Sequence, residues 1–209
     1  MPAPALLLAT RSPDKLREIR QILTPQGLEI VSLSDVDVPT DPAEDALEAF
    51  LTFRENALAK ARHFATLTGR LTLADDSGLE VDALGGAPGV FTKRFSGRAD
   101  LHGRELDDAN NDLLLQKLAG IPTEERGARY VCAAAAARPD GATLVGLGTT
   151  PGRIAERRST GTHGFGYDPL FLVPELGATF ADVSDDDKHR RSHRARAFRA
   201  LASSIASLR

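Results

Sequence analysis

Two adjacent aspartates, Asp75 and Asp76, are the residues of this chain whose types and spacing best suit chemistry. They follow the apolar run 71–74, and a serine and a glycine come directly after them. Carboxylates at the end of a strand are suited to binding Mg²⁺ or to activating a water molecule. We predict that the strand either breaks into a turn here, which Gly78 would permit, or holds the two side chains on opposite faces. A surface turn without any chemistry is the alternative interpretation.

The N-terminal part of the chain has the pattern of a strand, a tight turn and a helix. Residues 5–9 are apolar throughout and predict a short buried strand. Ser12 is a good N-cap and Pro13 suits the first helical position, so a helix should start there with Lys15 in its first turn. Free N–H groups and the positive end of the helix dipole would make this turn a phosphate site. A capped helix that binds nothing is the alternative.

A second predicted helix connects further polar side chains to the aspartates. Glu48 lies near the end of an acidic, proline-containing stretch that predicts a loop. A helix should begin after Thr52, with Asn56 and Lys60 on one face because they are four residues apart. The strand of the two aspartates follows this helix, so Glu48 could converge with them. A solvated loop carboxylate is the alternative for Glu48.

Glycines alternate with aromatic residues in residues 161–168, which we call the aromatic–glycine loop. Such a loop lets the backbone approach a flat ligand while Phe165 or Tyr167 lies against it. Asp168 could accept hydrogen bonds from ring nitrogens or from a hydroxyl group. A turn without a ligand is the alternative.

A basic stretch over residues 188–194 follows the predicted helix N-cap Ser184 and precedes an amphipathic terminal helix. It could bind a nucleotide or a nucleic acid, or it could be a solvated face.

Elsewhere, the periodicity predicts a helix over residues 100–118, in which Asp107 and Asp108 are interpreted as solvated. Strands over residues 129–137 and 143–149 form a predicted hairpin.

The composition is that of an ordinary globular protein. The chain has 209 residues, of which 42% are hydrophobic and 26% are charged, and its net charge of −3 argues against a general nucleic-acid binder. No apolar run reaches the roughly 20 residues needed to span a membrane. Residues 1–4 have no basic flank for a signal peptide, and Cys132 is the only cysteine. We therefore expect a cytoplasmic protein in which Cys132 is an inert buried thiol.

Six motifs in the expected order resemble the inosine triphosphate pyrophosphatase family, also called the HAM1/RdgB-like family of non-canonical purine nucleotide pyrophosphatases. The resemblance spans the chain from Leu8 to Ala197. The motifs are Ala-Thr-Arg-Ser-Pro-Asp-Lys at 9–15, Thr-Phe-Arg-Glu-Asn-Ala at 52–57, Ala-Asp-Asp-Ser-Gly-Leu at 74–79, Pro-Gly-Val at 88–90, Gly-Phe-Gly-Tyr-Asp-Pro at 164–169, and Lys188 with Ser-His-Arg at 192–194.

The resemblance implies an enzyme that uses Mg²⁺ to hydrolyse inosine, deoxyinosine and xanthosine triphosphates to the monophosphate and pyrophosphate. It implies an α/β fold with a mixed, elongated central sheet flanked by helices, and two lobes with a ligand cleft between them. Residues 1–209 would form a single domain and a homodimer that uses neither nucleic acid nor membrane.

The resemblance also implies roles for individual residues. Asp76 would activate the attacking water and, with Glu48, bind the metal. The residues implied in substrate binding are Thr10, Arg11, Ser12, Pro13, Asp14, Lys15, Lys60 and Lys188 at the phosphates, Ser77, the stacking Phe165 with Gly166, Tyr167 and Asp168, and His193 and Arg194 at the purine edge.

Two other functions remain open on the sequence alone. A non-catalytic purine nucleotide-binding or sensor protein would bind tightly without turnover. A nucleic-acid-binding module would use the basic stretch and would show a steep salt dependence.

Overall fold

The computed structural model describes residues 5–208 and has a seven-stranded sheet with five α-helices. The strands are β1 (Leu6–Leu8), β2 (Ile30–Ser32), β3 (Thr72–Val81), β4 (Gly127–Ala137), β5 (Thr143–Ile154), β6 (Phe171–Val173) and β7 (Ala178–Thr179). The helices are α1 (Pro13–Leu23), α2 (Phe53–Thr68), α3 (Gly103–Lys117), α4 (Asp185–Arg191) and α5 (His193–Ile205). Residues 1–4, on which the prediction about a signal peptide rests, and residue 209 lie outside the described residues.

The sheet mixes parallel and antiparallel strands. Its strand order is β2-β1-β3-β4-β5-β6-β7. β1 runs parallel to both β2 and β3, whereas β6 runs antiparallel to β5 and to β7. The predicted α/β class with a mixed central sheet flanked by helices is therefore confirmed.

The described residues divide into two compact units. Unit 1 takes its residues from Met1–Asp76, Cys132–Gly148 and His193–Arg209, and unit 2 from Ser77–Val131 and Thr149–Ser192. Three strands, β3, β4 and β5, contribute residues to both units. The cleft implied by the resemblance stays a prediction.

The alternation of side chains in unit 1 determines which helix each strand residue meets. Leu6, Leu8 and Leu73 belong to one apolar cluster with residues of α1 and α5, including Ile19 and Phe198. Successive strand residues point to opposite faces, so the residues between these three face the other way. Odd-numbered positions of β3 up to residue 75 therefore share the face covered by α1 and α5.

Two glycines of β5 allow α5 to pack against the strand at backbone distance. A Cβ atom on Gly148 would lie 2.1 Å from the carbonyl oxygen of His193, and one on Gly146 would lie 2.3 Å from that of Ala197. Any larger residue would push the helix outward. These glycines thus set the position of the first turn of α5, which carries His193 and Arg194.

Unit 2 has an aromatic core next to α3. Tyr130, Phe171 and Phe180 are buried together, with ring centroids 4.5 Å apart for Tyr130 and Phe171 and 5.4 Å apart for Phe171 and Phe180. Leu114 of α3 belongs to the same apolar cluster. The predicted helix over 100–118 and the predicted hairpin are both confirmed.

The structure corrects one of the two predictions for the aspartates. β3 does not break into a turn at Asp75 and Asp76 but continues to Val81, and Gly78 lies within it. Residues 77–81 stay extended because Leu79 and Val81 are fully buried in unit 2.

The basic stretch is not one continuous helix. α4 ends at Arg191, Ser192 is extended with ψ of 149°, and α5 begins at His193.

In the described part of the chain, no helix is long and apolar enough to cross a bilayer.

Candidate functional site

Asp75 lies at the centre of a buried charged cluster in unit 1. Its side chain is 1% exposed, and its Oδ2 atom lies 3.2 Å from Lys15 Nζ and 3.4 Å from Arg194 Nε. Arg194 also donates a hydrogen bond to Glu18, a residue of α1 that is 3% exposed. α1 and α5 thus surround this carboxylate with two cations and bring in a second carboxylate.

The cluster favours the charged forms of its members. Burial alone would raise the pKa of Asp75, but Lys15 and Arg194 outweigh it and hold that pKa well below its usual range. Burial would likewise lower the pKa of Arg194, yet Glu18 and Asp75 keep it raised. Asp75 is therefore a fixed negative charge rather than a group that exchanges protons near neutral pH.

Asp76 contacts a different set of partners, which come from α2 and the segment before it. Asn56 donates a hydrogen bond to Asp76 Oδ2 at 2.8 Å, while Asp76 Oδ1 lies 3.9 Å from Lys60 Nζ. Lys60 also donates to Glu48 Oε1 at 2.6 Å. Lys60 therefore lies close to two carboxylates that are 28 residues apart in the chain.

The proton affinities of this second set differ from those around Asp75. Burial raises the pKa of Asp76, and the nearby Lys60 offsets the effect only in part. Burial opposes the charge of Lys60, but Glu48 and Asp76 outweigh it and raise its pKa. Of the two adjacent aspartates, Asp76 is thus the better proton acceptor near neutral pH.

Asn56 also holds the backbone that follows Glu48. Its Oδ1 atom accepts a hydrogen bond from the Phe50 N–H at 2.9 Å, and its Nδ2 atom donates to the Phe50 carbonyl at 3.3 Å. The same amide therefore connects Asp76 to the segment that carries Glu48. The sequence placed Asn56 and Lys60 on one helix face but gave no signal of this connection.

The turn for which the sequence predicts a phosphate site lies at the start of α1. The Ser12 hydroxyl accepts a hydrogen bond from the Lys15 N–H, Pro13 occupies the first helical position, and Thr10 Oγ1 accepts one from the Ser12 N–H. Asp14 forms a surface ion pair with Arg17 at 2.8 Å. The turn thus has the capped helix start that the sequence predicts.

Arg11, in the same turn, makes contacts that the sequence did not indicate. Its guanidinium donates to both carboxylate oxygens of Glu44, at 2.7 and 3.0 Å, and to the carbonyls of Val38 and Pro39. Arg11 therefore connects the turn, through hydrogen bonds, to the segment that ends at Glu48.

The aromatic–glycine loop lies in unit 2 around a buried carboxylate. Asp168 accepts hydrogen bonds from the Phe165 N–H at 2.8 Å, from Lys188 Nζ at 2.6 Å and from the Tyr130 hydroxyl at 3.3 Å. Lys188 Nζ also lies 5.1 Å from the centre of the Phe165 ring. Asp168 and Lys188 thus form a buried ion pair next to the ring of Phe165.

Gly166 and Tyr167, the central residues of this loop, are also fixed. The Tyr167 hydroxyl donates to the Thr92 carbonyl at 2.9 Å. Gly166 is bonded through both of its backbone polar groups to Asp107 and Asn111 of α3. Asp107, which was interpreted as solvated rather than catalytic, is half-buried and bonds this loop.

Two predicted site residues remain. Ser77 follows Asp76 in β3 and is half-buried, and His193 is buried at the start of α5. The structure thus groups Asp76, Glu48 and Lys60 in unit 1, groups Lys15 with Arg194 through Asp75 in the same unit, and groups Phe165, Asp168 and Lys188 in unit 2.

The match to known proteins extends over nearly the whole chain. The sequence model of the Ham1 family matches residues 6 to 204. The chain belongs to the Ham1 family. Its relatives in that family include a protein from an Exiguobacterium species named dITP/XTP pyrophosphatase, which is 48% identical over 200 residues that cover 96% of each chain.

Solved structures of Ham1 proteins have the same fold. A HAM1 protein from Coxiella burnetii matches with a TM-score of 0.82 at 33% identity, over 98% of this chain and 100% of that one. A nucleoside-triphosphatase/dITP/XTP pyrophosphatase from Mycobacterium abscessus matches with a TM-score of 0.71 at 43% identity, over 95% of this chain and 98% of that one.

Several residues that organise these Ham1-family motifs were not predicted from the sequence. Glu18 could have been noticed, because it is a charged residue among the apolar positions of α1, three residues after Lys15. Tyr130 and Asn111 could not, since each acts on a residue more than 35 positions away in the chain.

Proposed function

We propose that this chain hydrolyses non-canonical purine nucleoside triphosphates, those of inosine, deoxyinosine and xanthosine, to the monophosphate and pyrophosphate. The arrangement that carries this proposal is Asp76, a buried proton-accepting carboxylate, beside Lys60 and Glu48. Family relatives named dITP/XTP pyrophosphatase support the choice of substrate.

Asp76 is the proposed base. A water molecule that cleaves the anhydride between the α- and β-phosphates must lose a proton, and the raised pKa of Asp76 suits it to take that proton. The Asn56 hydrogen bond occupies Oδ2, so Oδ1 is the oxygen assigned to the water. General base catalysis of this kind contributes roughly 10²- to 10⁴-fold.

The charges of unit 1 suit the polyphosphate. A triphosphate gains negative charge on the departing pyrophosphate, and cations fixed in advance stabilise that charge. Lys15 and Lys60 are the proposed cations. The N–H groups at the start of α1, which follows Thr10 and Ser12 in the chain, are proposed as additional hydrogen-bond donors to the phosphates. Arg11 is assigned the supporting contact with Glu44, and Asp14 stays at the surface of this turn.

We propose Mg²⁺ as the cofactor, held by Glu48 and Asp76. Among residues 5–208, no group of three histidine, cysteine or acidic side chains is placed to hold a metal. Two carboxylates are nevertheless sufficient for Mg²⁺, which usually keeps several waters and takes its other ligands from phosphates. The ammonium of Lys60 already lies at 2.6 Å from one of these carboxylates and 3.9 Å from the other, so a cation at this place fits their charge. Bound Mg²⁺ would neutralise phosphate charge and polarise the phosphoryl group.

The aromatic–glycine loop is the proposed base-binding element. Phe165 is proposed to stack on the purine, with Gly166 allowing close approach and Tyr167, Asp168 and Lys188 fixing the loop. Arg194 and His193 are the proposed donors to the purine edge, with Ser77 as a further substrate contact. A 6-oxo purine accepts such a hydrogen bond, whereas adenine would leave the donor unpaired at a cost of about 1–3 kcal/mol.

A pyrophosphate-release assay tests this function directly. The purified protein is expected to release pyrophosphate from deoxyinosine triphosphate much faster than from ATP in the presence of Mg²⁺, and a chelator should stop release. Equal rates on the two substrates would contradict the specificity. Nucleotide binding without any release would instead favour a sensor protein.

We also propose a cytoplasmic homodimer in which residues 1–209 form one domain that acts without nucleic acid or membrane. The sharing of β3, β4 and β5 by the two units supports the single domain. Sedimentation equilibrium checks the dimer, and one cooperative unfolding transition checks the single domain.

A further inference from the structure

We infer that Asp107 and Asn111 of α3 are positioning residues that fix the aromatic–glycine loop in its base-binding conformation. The inference rests on the proposed function, because it takes this loop as the element that meets the purine. Neither residue is assigned a contact with substrate. They act through Gly166, which separates the two aromatic residues of the loop.

Both backbone polar groups of Gly166 are bonded to this helix. The Gly166 N–H donates to Asp107 Oδ2 at 2.8 Å, and its carbonyl accepts from Asn111 Nδ2 at 2.9 Å. Asp107 and Asn111 lie four residues apart and therefore share one face of α3. The peptide groups before and after the Gly166 Cα atom are therefore each bonded to α3, which leaves the φ and ψ angles of Gly166 little freedom to change.

The conformation held in this way is an unusual one. Gly166 has a φ of +63°, in the left-handed region, and a Cβ atom there would meet no atom within 4 Å. The backbone angle, rather than steric contact, is thus what the two hydrogen bonds maintain. Because Phe165 and Tyr167 flank this residue, its φ and ψ determine the directions in which the two rings leave the backbone.

The side-chain amide of Asn111 donates one hydrogen bond to the loop and one within its own helix. Its Nδ2 atom donates to Gly166 and, at 2.8 Å, to the Asp107 carbonyl one turn earlier. Its Oδ1 atom is buried without a hydrogen-bond partner among the described residues.

Adjacent residues of α3 provide matched controls. Asn110 is as buried as Asn111, at 2% against 1% exposure, but it bonds the Lys93 carbonyl and the Ser96 N–H instead. Asp108 forms an ion pair with Arg158 in place of a bond to Gly166. Each proposed positioning residue thus has an adjacent residue of the same type with polar contacts to groups other than Gly166.

Two ligands separate the base from the phosphates. Inosine monophosphate carries the base, and inorganic tripolyphosphate carries phosphates without a base. The chain has no tryptophan and two tyrosines, Tyr130 and Tyr167, which both lie at this loop, so tyrosine fluorescence reports on it directly. Competition with deoxyinosine triphosphate measures tripolyphosphate binding.

Asn111→Leu is expected to weaken inosine monophosphate binding about tenfold, the effect of roughly one lost hydrogen bond, while tripolyphosphate affinity stays within about twofold. The KM for deoxyinosine triphosphate should rise by about the same factor, with kcat within about threefold. Asn110→Leu should lower the melting temperature similarly but leave both affinities unchanged. Equal effects of the two substitutions on inosine monophosphate binding would overturn the inference.

Asp107 supplies a second test that does not depend on Asn111→Leu folding. Asp107→Ala should weaken inosine monophosphate binding, and Asp107→Asn should restore most of it because an amide oxygen still accepts from the Gly166 N–H. Asp108→Ala is the control and should bind normally. Failure of Asp107→Asn to recover binding, or parallel loss of tripolyphosphate binding, would refute positioning through Gly166. If the unmodified protein neither binds inosine monophosphate nor releases pyrophosphate, the proposed function fails instead.

Discussion

Asp75 and Asp76 are neighbours in β3, yet their carboxylates contact helices on opposite faces of the sheet. Asp75 meets Lys15 of α1 and Arg194 of α5, whereas Asp76 meets Asn56 and Lys60 of α2. Two identical side chains therefore have opposite displacements in pKa. An uninterrupted strand achieves this separation, since a turn at the aspartates would not impose the alternation.

Asp75→Asn should lower the free energy of unfolding of the protein. The substitution leaves Lys15 and Arg194 around a neutral amide, and removing one partner of a buried ion pair costs about 3–5 kcal/mol. The free energy of unfolding in urea measures the loss. Asp14→Asn, which removes an exposed partner of Arg17, is the control and should change stability by less than about 1 kcal/mol.

The same aspartate predicts a pH dependence of stability. The pKa of Asp75 is lower in the folded protein than the value of about 3.9 in an unfolded chain, so its contribution is complete above that value. The contribution is lost as the pH falls below it, because the unfolded state then binds more protons. The stability difference between the unmodified protein and Asp75→Asn should therefore shrink from pH 7 to pH 3. A constant difference would contradict the assignment.

Asp76→Asn should strongly lower turnover while nucleotide binding persists. The amide keeps the shape of the side chain but cannot accept the proton of the attacking water, so kcat should fall about 10²- to 10⁴-fold. Pyrophosphate release measures kcat, and calorimetry with deoxyinosine triphosphate measures binding. Retained turnover would rule out Asp76 as the base.

Glu48→Gln tests the proposed metal site. Loss of one of two carboxylates should raise the Mg²⁺ concentration for half-maximal activity by about tenfold or more. Calorimetric titration of the nucleotide-free protein with Mg²⁺ provides a readout without turnover. Asp45→Asn changes an exposed acid of the same segment and should leave both values unaltered. Identical behaviour of the two variants would exclude Glu48 from the site.

Local patterns in the sequence were sufficient to predict most elements of the fold. The Ser12 and Thr52 caps and the hairpin of β4 and β5 depend on nearby residues and were predicted correctly. The sequence left open whether β3 continues through Asp75 and Asp76 or breaks into a turn, because the continuation depends on the burial of Leu79 in a core built from distant residues.

The residues proposed for chemistry lie in motifs, whereas the long-range contacts of the residues that hold them in place could not be predicted from the sequence. Asn56, Glu18 and Asn111 act across 20, 176 and 55 positions of the chain, and no periodicity reports such distances. Arg11 shows the converse case. It lies within a motif expected to bind phosphates, but its guanidinium is engaged by Glu44 and by two backbone carbonyls.

Arg11→Ala should therefore loosen the loop before α2 rather than remove a phosphate contact. Its bonds to Glu44 and to the carbonyls of Val38 and Pro39 are partly exposed, so the expected loss of stability is about 1–2 kcal/mol, below that of a buried charged network. Hydrogen exchange over residues 38–48 should accelerate, with affinity for tripolyphosphate nearly unchanged. Arg17→Ala removes a surface ion pair within α1 and should leave residues 38–48 protected from exchange. A large loss of tripolyphosphate affinity without faster hydrogen exchange would contradict this prediction and would indicate that Arg11 contacts the phosphates.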